Sequence, residues 1–249
     1  MPLVKMKKVW TYCTYNKPFF LLILLLYGIL NFILYIYGDT GDSWILLIIF
    51  AVSILITGYG MTITHDRINN GVRLPKIIIK DVIVLGVKSY IVFIVYLYIQ
   101  GTVLDWISSP FNFPRFELED MLLDLPNTLN MLISHNHLHA MIFVVVGSIL
   151  FYITSFFMEI AIARLADTGQ ILSAFKFNSI KKDIDTIGWK HYAKHYTLII
   201  LAIVIFGSLC YLEIPNVILD YAWVIILNFL MFTTQFLGIG AIYSEIKGN

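Results

Sequence analysis

The sequence predicts an all-α fold: a polytopic membrane helix bundle of about six transmembrane helices, with interfacial amphipathic helices. Three observations carry that prediction. Hydrophobic types make up 59% of the 249 residues, charged types only 13%, and the mean hydropathy is +0.82. A soluble domain carries about 45–50% apolar and about 25% charged residues, so a water-soluble chain of this composition would lack polar residues to cover its surface. The apolar residues gather into runs of about 20, the length that crosses a bilayer, and the cations gather between alternate runs.

In order, the runs are Phe19–Tyr37, Trp44–Thr64, Val82–Leu104, Met141–Leu165, Tyr196–Leu212 and Val217–Tyr243, forming one membrane domain over 1–249. Backbone groups in lipid must bond within their own segment, so each run reads as a helix. Uniform apolarity excludes the alternating pattern of barrel strands. The first run follows basic residues, as in a signal peptide. It is nevertheless long enough to span and ends in Gly38-Asp39-Thr40-Gly41-Asp42 without a small-x-small cleavage site, so it reads as a retained helix.

Orientation follows from charge. The N-terminus carries Lys5, Lys7, Lys8 and Lys17, and the first basic connection, after the second run, carries Arg67, Arg73, Lys76 and Lys80. The second basic connection, after the fourth run, carries Arg164, Lys176, Lys181, Lys182, Lys190 and Lys194, and the C-terminus Lys247. The opposite side holds only Arg115, while Lys88 lies inside the third run. Positive loops stay inside, so we expect a cell-membrane protein with both termini cytoplasmic. A net charge of +1 gives no field to attract nucleic acid. On this topology Cys13 and Cys210 fall on opposite sides, which argues against a disulfide between them.

Two connections hold further structure. In the cytoplasmic segment 170–190, Phe177, Ile180, Ile184 and Ile187 recur at helical spacing with Lys181, Lys182, Asp183 and Asp185 between them. This is an amphipathic helix, lying either on the inner leaflet with its lysines at anionic headgroups or against the ends of the bundle. The outer loop 105–138 begins with Pro110 and Pro114 and is too polar to span.

The second and fourth spans leave the membrane alike: Asp66-Arg67 then Gly71 and Leu74-Pro75 in one, Arg164 then Asp167 and Gly169 in the other. Gly suits the left-handed residue that ends a helix, and Arg suits the last turn. The run Gly58-Tyr59, Arg67, Gly71, Leu74-Pro75, Asp81 and Gly86 resembles the core pattern of the domain of unknown function 4013 family. Ala161–Arg164, Gly169 and Ala174-Phe175 extend the likeness, which covers most of 18–204. It implies a multi-pass membrane protein of a chiefly archaeal family and no assigned activity. A more distant resemblance is to the membrane domain beside some glycerophosphodiester phosphodiesterases, whose catalytic residues have no counterpart here.

Among candidate sites, His135, His137 and His139 form the densest group of imidazoles, the ligand type that suits zinc, copper or nickel. Their place at a membrane boundary favours a polar turn, so no metal and no cofactor is expected. Lys88, Asp81 and Glu159 are the intramembrane charge candidates. Lys88 is expected to snorkel to the inner surface, with Glu159 or Asp81 as its next choice of partner. Asn31, Gln100, Asn228 and Gln235 are expected to bond between helices. Arg67, Arg164, Lys181 and Lys182 are candidates to hold an anionic group at the cytoplasmic mouth, because an Arg fork matches phosphate geometry. The opposing expectation is that each Arg caps its own helix and pairs with a neighbouring acid.

No catalytic motif appears, which leans away from an enzyme. The favoured function is a non-catalytic module in the lipid bilayer that binds an anionic lipid or another membrane protein. A small-solute or ion transporter is the alternative and an intramembrane enzyme the second.

Overall fold

A computed structural model describes residues 11–12, 14–40, 43–108, 137–212 and 214–248. The described residues hold seven α-helices, one 3-10 turn and no strand: α1 Lys17–Thr40, α2 Ser43–Ile68, α3 Ile79–Ser108, α4 His137–Thr168, the turn Ile171–Phe175, α5 Phe177–Ile187, α6 Trp189–Leu209 and α7 Val217–Gly248. The expected all-α class is what the chain adopts. Five helices are long and apolar enough to cross a membrane: Trp44–Ile68, Ile79–Ile107, Phe143–Thr168, Trp189–Leu209 and Val217–Lys247. A shorter apolar helix covers Phe20–Ile36. Large side chains such as Leu47, Ile94, Tyr98 and Val204 stand exposed along these helices, far more apolar surface than water tolerates. The chain is a multi-pass membrane protein.

The helices overrun the apolar runs. α2 continues through Thr64 to Ile68 and α4 through Leu165 to Thr168, because polar residues in a last turn reach water without ending the helix. α6 starts at Trp189, seven residues before the expected Tyr196, since Lys190, His191, Lys194 and His195 are all helix-compatible. The break comes instead at Gly188, whose φ of 91° no side chain adopts easily.

The fold divides into two compact units, one reaching Val92 and resuming at Glu159, the other Phe93–Met158. In the larger unit α7 packs against α1, α2, α5 and α6. Small residues let backbones approach. A Cβ at Gly58 in α2 would overlap the Val82 carbonyl of α3, and one at Gly86 would overlap the Ile54 carbonyl of α2. This is the close-packed interface that small residues give helices in lipid. A Cβ at Gly60 would strike the Phe236 ring of α7, and Thr64 Oγ1 donates to the Phe236 carbonyl at 3.1 Å. Edge-to-face pairs Phe20–Phe229 and Tyr27–Phe232, at 5.1 and 5.8 Å, join α1 to α7. In the smaller unit Leu104 and Phe156 are buried, and Ser155 Oγ bonds back to the Phe151 carbonyl.

Candidate functional site

In the larger unit, the ends of α2, α4 and α7 meet the starts of α3 and α6 through two connections. These connections carry most of the cations, so this is its lysine-rich end. His65 Nδ1 lies 2.8 Å from the Ala166 carbonyl, joining the two helix exits. Lys247 on α7 bonds both Asp167 and the Asn69 side chain, and His191 Nε2 lies 3.1 Å from Glu245. The exits of α2 and α4 are therefore neighbours.

The two arginines themselves turn to their own surroundings. Arg67 donates to the Gly71 carbonyl at 3.2 Å, closing its own turn. Arg164 pairs with Asp183 of α5 and donates from Nε to the Ser173 carbonyl at 3.3 Å. Tyr243 of α7 donates to the same Asp183 carboxylate at 3.1 Å. Both arginines thus have internal partners, while Lys181 and Lys182 stand exposed on the outer face of α5.

The glycines also differ. Gly169 adopts φ of 67° after α4, but in the first connection the left-handed residue is Asn70, at 62°. Asn tolerates that region because its side chain bonds locally. Gly71 is needed for space: its Cβ would overlap the Asp66 carboxylate folded over it. The likeness of the two exits is one of residue type more than of backbone role.

Lys88 departs from both expected carboxylate partners. Its Nζ donates to the Gly169 carbonyl at 2.7 Å, capping the C-terminus of α4, where unpaired carbonyls and the helix dipole attract a cation. Asp81 is exposed in the first turn of α3, the favourable end for an acid. Glu159 is buried, and Gln235 Nε2 donates to it at 2.7 Å, the interhelical role expected of that amide. Asn31 instead bonds Tyr27 within its own helix. Gln235→Leu is expected to lower stability by about 1–3 kcal/mol, because it strips a buried carboxyl of its donor. Glu159→Leu with Gln235→Leu is expected to recover most of that loss. Melting in detergent checks this, and a double variant melting no higher than the single one would refute it.

His135 and most of the loop expected over 105–138, residues 109–136, lie outside the described residues. So do Lys5, Lys7, Lys8 and Cys13. His137 and His139 belong to the first turn of α4. Among the described residues no group of three His, Cys, Asp or Glu gathers to hold a metal, and Cys210 is a free thiol.

α5 buries its isoleucine stripe within the protein, with Ile180 and Ile184 at 0% exposure. Of the two placements expected for the amphipathic helix, this face takes the one against the bundle. The apolar residues that remain outside are Leu172, at 69%, with Phe175, Phe177 and Trp189. Exposed Lys176, Lys181, Lys182 and Lys190 stand among them in the sequence.

A cavity of about 490 Å³ opens in the first connection, lined by Tyr15, Asn16, Asp66, Arg73, Leu74, Pro75 and Lys76. Sequence reasoning placed Arg73 and Lys76 on the basic side without singling them out. Only the fold shows that the segment before α1 packs here, with Tyr12 donating to Asp66 at 2.7 Å and Asn16 to the Leu74 carbonyl at 3.1 Å.

Compared with known proteins, the chain matches neither a curated protein nor a solved structure. It does match a family described as Protein of unknown function (DUF4013), over residues 43–219, which takes in α2 through α6 and both connections of the lysine-rich end. That match spans well over half of the sequence, and the chain belongs to the DUF4013 family.

Proposed function

We propose that the protein is a non-catalytic membrane module whose lysine-rich end is cytoplasmic and holds anionic lipid. The observation that carries this reading is segment 169–188. It joins two spanning helices directly, so it must lie at the membrane boundary. It keeps Leu172 and Phe177 exposed beside Lys176, Lys181 and Lys182 although its isoleucine stripe is already satisfied. Apolar side chains flanked by lysines match a leaflet of acyl chains under anionic headgroups, at about 1 kcal/mol per cation near the surface.

The charge asymmetry between connections supports six spans with both termini inside. A transporter is less supported, because binding sites at midplane are built from broken helices, whereas each described span is one unbroken helix.

The test has two arms. In a background with Cys13→Ser and Cys210→Ser, Asn178→Cys should escape an impermeant thiol label in intact cells and react after lysis. Protein extracted with its surrounding lipid in polymer discs should carry more phosphatidylglycerol than the bulk membrane. Lys176→Gln with Lys181→Gln and Lys182→Gln should bring that enrichment close to the bulk value. Labelling in intact cells, or undiminished enrichment in the triple variant, would overturn the reading.

A further inference from the structure

We propose that the cavity of the first connection is a discrete site for a phosphate ester, with Arg73 and Lys76 holding the phosphate and Asp66 accepting a hydrogen bond from its alcohol part. This goes beyond lipid contact at segment 169–188 and uses none of that segment's residues.

The cavity is preformed. Its floor is fixed by Tyr59 Oη donating to the Pro75 carbonyl at 2.9 Å and by the Leu74 amide donating to the Tyr12 carbonyl at 3.3 Å. Leu74 is 1% exposed, so the backbone between the two cations is anchored. At about 490 Å³ the space falls in the usual range for small-ligand sites, about 300–1,000 Å³. A bare phosphate would leave most of it empty.

The polar groups divide by sign. Arg73 and Lys76 are exposed, and no ion pair forms at either among the described residues. Nearby Arg67 is already turned to Gly71. A guanidinium fork beside an ammonium suits a phosphate that takes bonds from both. The Asp66 carboxylate repels an anion, yet the Tyr12 hydroxyl holds it in place. It therefore favours a ligand with a donor, a hydroxyl or an ammonium, on the far side of its phosphate.

Position narrows the choice further. Tyr15 and Asn16 immediately precede α1, Asp66 lies in the last turn of α2, and Lys76 comes three residues before α3. Three apolar helices thus begin or end at the rim, and Val72 and Ile78 stand exposed beside it. A lipid headgroup at the boundary and a soluble phosphate ester share the required chemistry.

Binding to the full-length protein in detergent distinguishes them. The probes are short-chain phosphatidylglycerol, glycerol 3-phosphate and inorganic phosphate, followed by calorimetry. Arg73→Gln with Lys76→Gln should weaken the tightest probe at least about tenfold, since each removes a charge-assisted bond. Lys190→Gln with Lys194→Gln should leave that binding unchanged. Both pairs are exposed, and the elution profile confirms that each variant remains folded. Tighter binding of phosphatidylglycerol identifies a headgroup site, and tighter binding of glycerol 3-phosphate a soluble ester. Binding of no probe, binding insensitive to the Arg73 and Lys76 change, or inorganic phosphate as the tightest probe would each overturn the proposal. Loss of binding in the Arg73 and Lys76 variant does not depend on segment 169–188, whose lysines it leaves intact.

Discussion

Gly58→Val is expected to remove most of the folded protein from the membrane. The methyl-bearing carbon would enter the space of the Val82 carbonyl, and the next obstacle is the Gly86 backbone. Neither is a side chain that can rotate away, so α2 and α3 must separate. Overpacking usually costs about 1–3 kcal/mol, and a clash with backbone belongs at or above the top of that range. Separation would also loosen Tyr59, whose hydroxyl holds the Pro75 carbonyl. Gly86→Val is expected to act alike, because its Cβ meets Ile54 across the same contact. Gly101→Ala is the control. A Cβ there meets nothing within 4 Å, and alanine in a helix gains about 0.5–1 kcal/mol over glycine. The measurement is the yield and melting temperature of purified protein. A Gly58→Val variant melting with the wild type would show that the two helices are not in backbone contact.

Asp183→Ala carries the second large expected effect. The pair Arg164–Asp183 is mostly buried, with side-chain exposures of 16% and 13%. The carboxylate also accepts from Tyr243, so three elements depend on it: α4, α5 and α7. Removing one partner of a buried pair costs about 3–5 kcal/mol, because the other charge stays without compensation. Arg164→Met with Asp183→Leu is expected to be milder than Asp183→Ala alone. Arg164→Lys should fall between, since lysine can reach the carboxylate but has no second nitrogen for the Ser173 carbonyl. Melting of the four proteins gives this order directly. Equal melting of Asp183→Ala and wild type would reduce the pair to a surface contact.

The helices were legible in the sequence because a bilayer imposes a run length and an apolar composition that few soluble segments share. The α5 stripe was legible as a period, but not its destination. Lipid and protein satisfy Ile180 and Ile184 equally well, and only the packing of α7 and α6 decides between them. The role of Lys88 was hidden because its partner is a backbone carbonyl, which every residue possesses and no sequence pattern marks. Arg164 and Asp183 lie nineteen residues apart with no period connecting them. The cavity was least legible, since part of its wall comes from the segment before α1 and its Pro75 is held by a buried tyrosine of α2.

The position of α7 has a consequence for biogenesis. Helices enter a membrane in the order in which the ribosome makes them, and α7 is the last of those described. It is also the one that α1, α2, α5 and α6 pack against, and its final turns tie Asn69, Asp167 and His191 together. Until it arrives, Gly60 faces no ring, Thr64 has no carbonyl to bond and Asp183 lacks its tyrosine. The earlier helices, with α2 and α3 already in contact at Gly58 and Gly86, therefore wait in the bilayer without the contacts that α7 brings. The packing of α1, α2, α5 and α6 onto α7 is thus a late event in the making of this bundle.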